Sequence, residues 1–163
     1  MLVGLMGVGK STVGRRLAQR LGLPFVDADS EIESAAGMSI ADIFDAFGEA
    51  YFRDGERRVI ARLLDGSPKV IATGGGAFVN DDTRALILDT ALAIWLDAPL
   101  DVLVERVRRR DTRPLLRNRD PAAVLEDLAR VRNPIYAQAP IRVPSDHTPH
   151  DVTVKAILEA LNA

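Results

Sequence analysis

A three-layer α/β/α fold around a parallel sheet is predicted by two features of the chain. Short apolar runs alternate with segments of helical period from one end to the other. No internal repeat, low-complexity tract or linker interrupts that alternation. A length of 163 residues fits one core, so 1–163 is expected to be a single domain.

The elements follow in order. Leu2, Val3 and Leu5 form an apolar run before Gly7, as a buried strand does. It starts almost at Met1 with little lead-in, as a start displaced from the native one would leave it. Val13, Leu17 and Leu21 recur on one helix face, which Gly22 and Pro24 end. Phe25 and Val26 make a short strand ending at Asp27. Residues 29–65 read as helical. Ile40, Ile43, Phe44 and Phe47 form a stripe, with Ser39 and Asp42 as a capping box. Phe52, Val59 and Leu63 belong to a second, longer helix. Lys69 to Thr73 is a strand running into three glycines. Asn80 caps a helix carrying Leu86 and Ile87; Ala91 to Leu96 is a strand; Pro99 starts another helix. Residues 108–119 have neither period and read as a charged, mobile loop. Asp120-Pro121 opens a helix with Val124, Leu128 and Val131 on one face. Ile141 to Val143 is the last strand, and Thr148-Pro149 opens a helix with Val154, Ile157, Leu158 and Leu161 inward. Two excursions, 29–65 and 108–119, break the alternation, and such insertions are where binding sites and lids are built.

Composition narrows the function. A net charge of −2 gives no basis for a nucleic-acid or membrane-surface partner. The absence of cysteine excludes disulfides, thiol nucleophiles and thiolate zinc sites, and fits the cytoplasmic location expected here. No apolar run is long enough to span a bilayer, and no secretory leader opens the chain. Lysine occurs only at Lys10, Lys69 and Lys155.

The first of these lysines lies in the strongest signal. Gly4-Leu5-Met6-Gly7-Val8-Gly9-Lys10-Ser11-Thr12 has the spacing G-x-x-x-x-G-K-[ST], with an apolar strand before it and an amphipathic helix after. Glycines open backbone conformations closed to other residues, so successive N–H groups of Gly7 to Thr12 point into one concavity. The helix adds the positive end of its dipole. Lys10 neutralises phosphate charge, and the Ser11 hydroxyl is a ligand for Mg²⁺. The pattern specifies a nucleoside triphosphate with Mg²⁺. It leaves the phosphoryl acceptor open.

Further segments stand in register behind this loop. They are Asp27-Ala28-Asp29, Phe52-Arg53 with Glu56, Gly74-Gly75-Gly76, Arg113-Pro114-Leu115-Leu116, and Arg132-Asn133-Pro134-Ile135-Tyr136. In this order and spacing the chain closely resembles the shikimate kinases over essentially its whole length. The resemblance implies the P-loop kinase fold: a five-stranded parallel sheet in the order 2-3-1-4-5, a helical substrate-binding region at about 29–65 and a lid at about 108–120. It implies ATP-dependent phosphorylation of the 3-hydroxyl of shikimate, with ADP released, on the route to chorismate and the aromatic amino acids. It also implies site roles. Lys10, Asp29 and Arg113 would be catalytic. Gly7, Val8, Gly9, Lys10, Ser11, Thr12, Arg106 and Arg113 would bind ATP. Ser11 and, through water, Asp27 would hold Mg²⁺. Asp29, Arg53, Gly74, Gly75, Gly76 and Arg132 would bind shikimate, with Glu56 fixing Arg53. The chemistry is consistent: arginine binds a carboxylate through two parallel hydrogen bonds, and Asp29 would accept the proton of the attacking hydroxyl. The family's nucleotide contact after the last strand has no arginine here, where Ser145-Asp146-His147-Thr148 stand, so that contact stays unassigned. A monomer is expected.

Plainer uses compete at several positions. Asp27 and Asp29 alternate at a strand end, so their side chains should diverge, and turn or cap roles suit both. Asp97 before Ala98-Pro99 reads as a cap of the next helix. His147 and His150 read as surface residues, and Arg108-Arg109-Arg110 as a solvated helix end. Gluconate kinase is the nearest alternative on the same scaffold, because gluconate is also an acid. A GTP switch or nucleic-acid motor is disfavoured: there is no N-K-x-D segment and no glutamate after Asp97.

Overall fold

The computed structural model describes residues 1–110, 116 and 118–163. Arg113, with the rest of 111–115 and 117 of the expected lid, lies outside the described residues. The elements are β1 (Leu2–Val3), α1 (Lys10–Leu21), β2 (Phe25–Asp27), α2 (Ala28–Ala36), α3 (Ile40–Leu63), β3 (Val70–Ala72), α4 (Asp81–Thr90), β4 (Ile94–Asp97), α5 (Leu100–Arg108), α6 (Pro121–Tyr136), β5 (Ile141–Pro144) and α7 (His150–Leu161). A 3₁₀ turn over Ala77–Val79, not anticipated from the sequence, follows the triple glycine.

The strands form one parallel sheet in the order β2-β3-β1-β4-β5. Leu2 stands opposite Ala72 on one side and Ile94 on the other. Leu2 and Val3 are fully buried, which is why β1 reads as an unbroken apolar run rather than an alternating one. The chain leaves β1 toward β2 but leaves β3 and β4 in the opposite direction. Right-handed crossovers then put α1 on one face and the later connections on the other. Returning after β5, α7 packs on α1, while α5 packs on α6. The carboxyl ends of β1 and β3 therefore flank a switch point, where open parallel sheets place their ligands.

Local signals hold at most boundaries. Gly22 closes α1 in the left-handed region at φ 66. Ser39 Oγ accepts from Asp42 N at 3.1 Å, and Asn80 Oδ1 accepts from Thr83 N at 3.0 Å. The expected pair of helices is present within α3: the helical path breaks at Gly48, whose φ of 83 and ψ of 175 are non-helical, and the longer helix follows it. Between α2 and α3 a small cluster of Ile32, Ile43, Phe52 and Val59 gives this excursion an apolar centre apart from the main core.

Three expectations are corrected. Phe47 is not inward: it is 52% exposed and stacks on the equally exposed Tyr51 at 4.5 Å between ring centroids. Val131 is 56% exposed, because the last two turns of α6 direct Arg132 and Tyr136 inward instead. Asp97 does not cap α5, whose N-cap is Pro99. Its carboxylate accepts from Arg142 Nε at 3.0 Å and also from Nη2, and that guanidinium lies 4.8 Å over the Trp95 ring. Register explains it: Trp95 pairs with Arg142 and Asp97 with Pro144, so Arg142 on β5 reaches both.

Candidate functional site

Beyond β1 the backbone turns at Gly4, Gly7 and Gly9, with φ of 140, 82 and 97. A side chain at Gly4 would also strike the Leu96 carbonyl, whose oxygen is 2.6 Å from where a Cβ would sit. The turn delivers Lys10 to the start of α1, where it is buried and donates to the carbonyls of Gly4 at 2.6 Å and Leu5 at 2.9 Å. These bonds close the loop around the ammonium. No side chain caps α1 and its first turn holds no acidic residue. The positive end of a twelve-residue helix thus faces the loop with no acidic residue of its own first turn.

In the first turn of α1, Ser11 Oγ donates to Asp27 Oδ2 at 2.6 Å. The other Asp27 oxygen accepts from Asp29 N at 3.0 Å and Ser30 N at 3.3 Å, so Asp27 is also the N-cap of α2. The plain and the functional uses of Asp27 coexist, one on each oxygen. Asp27 and Asp29 take separate partners, as expected: Asp27 accepts from Ser11, while Asp29 Oδ1 lies 2.8 Å from where a Cβ on Gly74 would sit. The helix begins at Ala28, so Asp29 sits in its first turn, and both residues line one cleft. Ser11 and Asp27 offer hard oxygen donors side by side. Mg²⁺ is held in this way, by one or two protein oxygens together with phosphate and water. Among the described residues there is no cluster of three or more His, Cys, Asp or Glu that would make a closed protein cage.

Across the switch point, the triple glycine follows β3. The space a Cβ would take at Gly74 lies 2.8 Å from Asp29 Oδ1 and 3.2 Å from Glu56 Oε2. At Gly75 it lies 3.4 Å from Arg132 Nη1 and 3.5 Å from Met6 N. At Gly76 it overlaps the Arg53 guanidinium. Four charged side chains, Asp29, Glu56, Arg132 and Arg53, crowd this backbone, and glycine permits their close approach.

The two arginines are held differently. Arg53 Nη1 donates to Glu56 Oε1 at 2.9 Å, and its guanidinium lies 5.1 Å over the Phe52 ring. Arg132 is buried in α6, one turn before Tyr136. The Tyr136 hydroxyl donates to the Gly75 carbonyl, and burial pushes its pKa up to about 12, so it stays a donor. Glu56 is buried, and Oε2 has no hydrogen-bond partner. Burial raises its pKa, the nearby Asp29 adds to that, and Arg53 opposes it.

Gly76→Ala is expected to push the Arg53 guanidinium off Glu56 Oε1 and so to lower the melting temperature, the φ of Gly76, −90, adding no strain of its own. Affinity for a carboxylate substrate should also fall by about tenfold, one hydrogen bond to a charged group being worth about 1.5–3 kcal/mol. Thermal melting and titration with substrate check the two halves separately.

Arg106 approaches the loop from α5. Nη1 donates to the Val8 carbonyl at 3.1 Å and Nη2 to the Asp146 carbonyl at 2.7 Å. The segment after β5, left unassigned from sequence, contributes Ser145, whose buried hydroxyl donates to the same Val8 carbonyl at 3.0 Å. His150 is not a plain surface residue: its ring lies against Gly9 and lines the cleft. Arg108, Arg109 and Arg110 are exposed at the end of α5, as a solvated helix end is, and Arg109 and Arg110 reach the rim of the cleft. The cleft measures about 320 Å³ and runs from Arg106 and His150 past Lys10, Ser11 and Thr12 to Asp27, Asp29 and Gly74–Gly75. Sequence reasoning missed Ser145, Tyr136 and His150 as site residues. Only Tyr136 carried a signal, being the last residue of the Arg132 segment.

Comparison with known proteins agrees with this geometry. The family model described as shikimate kinase matches residues 6–162. A shikimate kinase of Caulobacter vibrioides (strain NA1000 / CB15N) is 62% identical over 161 residues, covering 99% of this chain and 80% of that protein. One of Bradyrhizobium diazoefficiens is 57% identical over 163 residues, covering 100% of this chain and 79% of that protein. The solved structure of a shikimate kinase from Acinetobacter baumannii in complex with shikimate superposes with a TM-score of 0.92 at 36% identity, over 98% of this chain and 90% of that one.

Proposed function

The chain belongs to the shikimate kinase family, and from that premise we propose that it transfers the γ-phosphoryl group of ATP to the 3-hydroxyl of shikimate, releasing ADP. One observation carries the assignment at the level of the site. Met6 N of the phosphate loop and Arg132 Nη1 both lie within 3.5 Å of where a Cβ on Gly75 would be. That proximity of the loop to a guanidinium supports a small hydroxy acid bound by Arg132 and meeting a terminal phosphate.

The residues divide the work. Arg53 and Arg132 bind the substrate carboxylate, and Glu56 holds Arg53 in place. Asp29 accepts a hydrogen bond from the 3-hydroxyl and takes its proton as oxygen attacks phosphorus. Lys10, the amides of Gly7 to Thr12 and the positive end of α1 offset the phosphate charge. Such a transfer asks a protein for positioning and charge neutralisation above all. Ser11 and Asp27 would hold Mg²⁺, which when bound screens the phosphate oxygens. Arg106 lies at the nucleoside end. Arg113 is assigned to the transferring group when the lid covers it, and water exclusion then prevents loss of phosphate to solvent. The helical excursion 29–65 is the substrate-binding region, and the chain acts as a single monomeric domain in the cytoplasm. Among the described residues no helix is long and apolar enough to cross a membrane.

The decisive assay is ADP release with MgATP and a panel of acceptors. Shikimate should stimulate it and gluconate should not; the reverse pattern overturns the substrate assignment. Asp29→Asn keeps the shape of the acceptor but not its basicity. It should lower kcat on the order of 10²-fold while ATP affinity stays within about twofold. A normal kcat would hand the proton to another group.

A further inference from the structure

We infer that His150 is an affinity-determining residue for the nucleotide, its neutral imidazole donating from Nε2 to the ribose or α-phosphate end of ATP. This deepens the functional assignment above and rests on it.

Position comes first. His150 is the first residue of α7, and the packing of α7 on α1 brings it over the phosphate loop. Where Gly9 would carry a Cβ, His150 Cε1 lies 3.0 Å away, Nδ1 3.4 Å and Arg106 Nη1 3.8 Å. One imidazole edge and one guanidinium therefore converge beside Gly9, and both residues line the cleft. A longer residue at Gly9 would push the ring aside, so the loop and the histidine fit each other.

The tautomer follows from burial. Nδ1 is shielded from solvent and has no hydrogen-bond partner. A proton there would be a buried N–H without an acceptor, which costs more than a bare lone pair. The ring is only half-buried, so the nitrogen left to address the cleft is Nε2, and it bears the hydrogen. Charging the ring is opposed in the same direction by burial, by Arg106 and by Arg16, against Asp151 alone. A neutral Nε2–H donor at the mouth of an anion-binding loop is matched to a ribose oxygen or an α-phosphate oxygen. Arg106 beside it, bonded to the Val8 and Asp146 carbonyls, holds the wall on which such a group would rest.

The test is calorimetric titration of the full chain with MgADP and, separately, with shikimate. His150→Phe keeps a flat ring but has no donor, and its ADP affinity should fall by about five- to tenfold, the value of one neutral hydrogen bond. His150→Gln, whose amide can reach the Nε2 position, should recover to within about twofold of the parent. Shikimate affinity should be the same in all three. ADP affinity unchanged in His150→Phe overturns the inference, as does an equal loss of shikimate affinity, which would mean a structural role. Should His150→Phe not fold, His150→Ala read against His150→Gln decides the same question. A parent chain that binds no ADP would instead overturn the functional assignment, which is a separate result.

Discussion

Lys10→Met is expected to lower kcat by about 10³-fold or more, while the protein still folds. Removing a single preorganised donor from a site of developing negative charge costs about 10²–10³ in rate, and Lys10 contributes a full positive charge. It is also a structural clasp, since its ammonium bonds the carbonyls of Gly4 and Leu5. Methionine fills a similar volume but leaves those two carbonyls without this donor, so a lower melting temperature should accompany the loss. Both effects are measurable on one preparation, by steady-state ADP release and by thermal unfolding. Retained activity would mean that the loop amides and α1 alone neutralise the phosphates, and would remove the main electrostatic claim.

Arg132→Ala should cost about 2–5 kcal/mol in transition-state binding, as truncating one partner of a buried charge pair does. At about 1.4 kcal/mol per decade, kcat/KM for shikimate falls by thirtyfold or more. The structure adds a reason for the upper part of that range. Arg132 is buried, it lies beside Gly75, and its positive charge offsets that of the buried Glu56. Truncation therefore unpairs the substrate carboxylate and leaves Glu56 with Arg53 as its remaining cationic neighbour of that kind. The KM for ATP should stay close to the parent value, because Lys10, the loop amides and α1, rather than Arg132, are assigned to the phosphates. An unchanged kcat/KM for shikimate would reject this guanidinium as the carboxylate fork.

Local signals were most dependable where one residue type has one physical use. Gly22, Ser39 and Asn80 end or begin helices where backbone conformation and capping chemistry require them. Periodicity misled where a helix carries function on its apolar side. In α6 an inward face drawn through Val131 is instead drawn through Arg132 and Tyr136, because the cleft needs a charge and a hydroxyl there. Asp97 was misassigned because its partner, Arg142, lies 45 residues away on the next strand.

Alternating strands and helices, together with the glycine, lysine and serine spacing after β1, determined the architecture and the triphosphate chemistry from the sequence alone. These are local properties: each depends on a few consecutive residues and on backbone conformations that only certain side chains permit. The meeting of distant residues was decided only in three dimensions. Gly75 close to Met6 and Arg132, Tyr136 on the Gly75 carbonyl, Ser145 and Arg106 on Val8, and His150 against Gly9 are all products of strand order and helix packing. Such contacts leave no periodic trace, since a side chain's partner across the fold has no fixed offset along the chain.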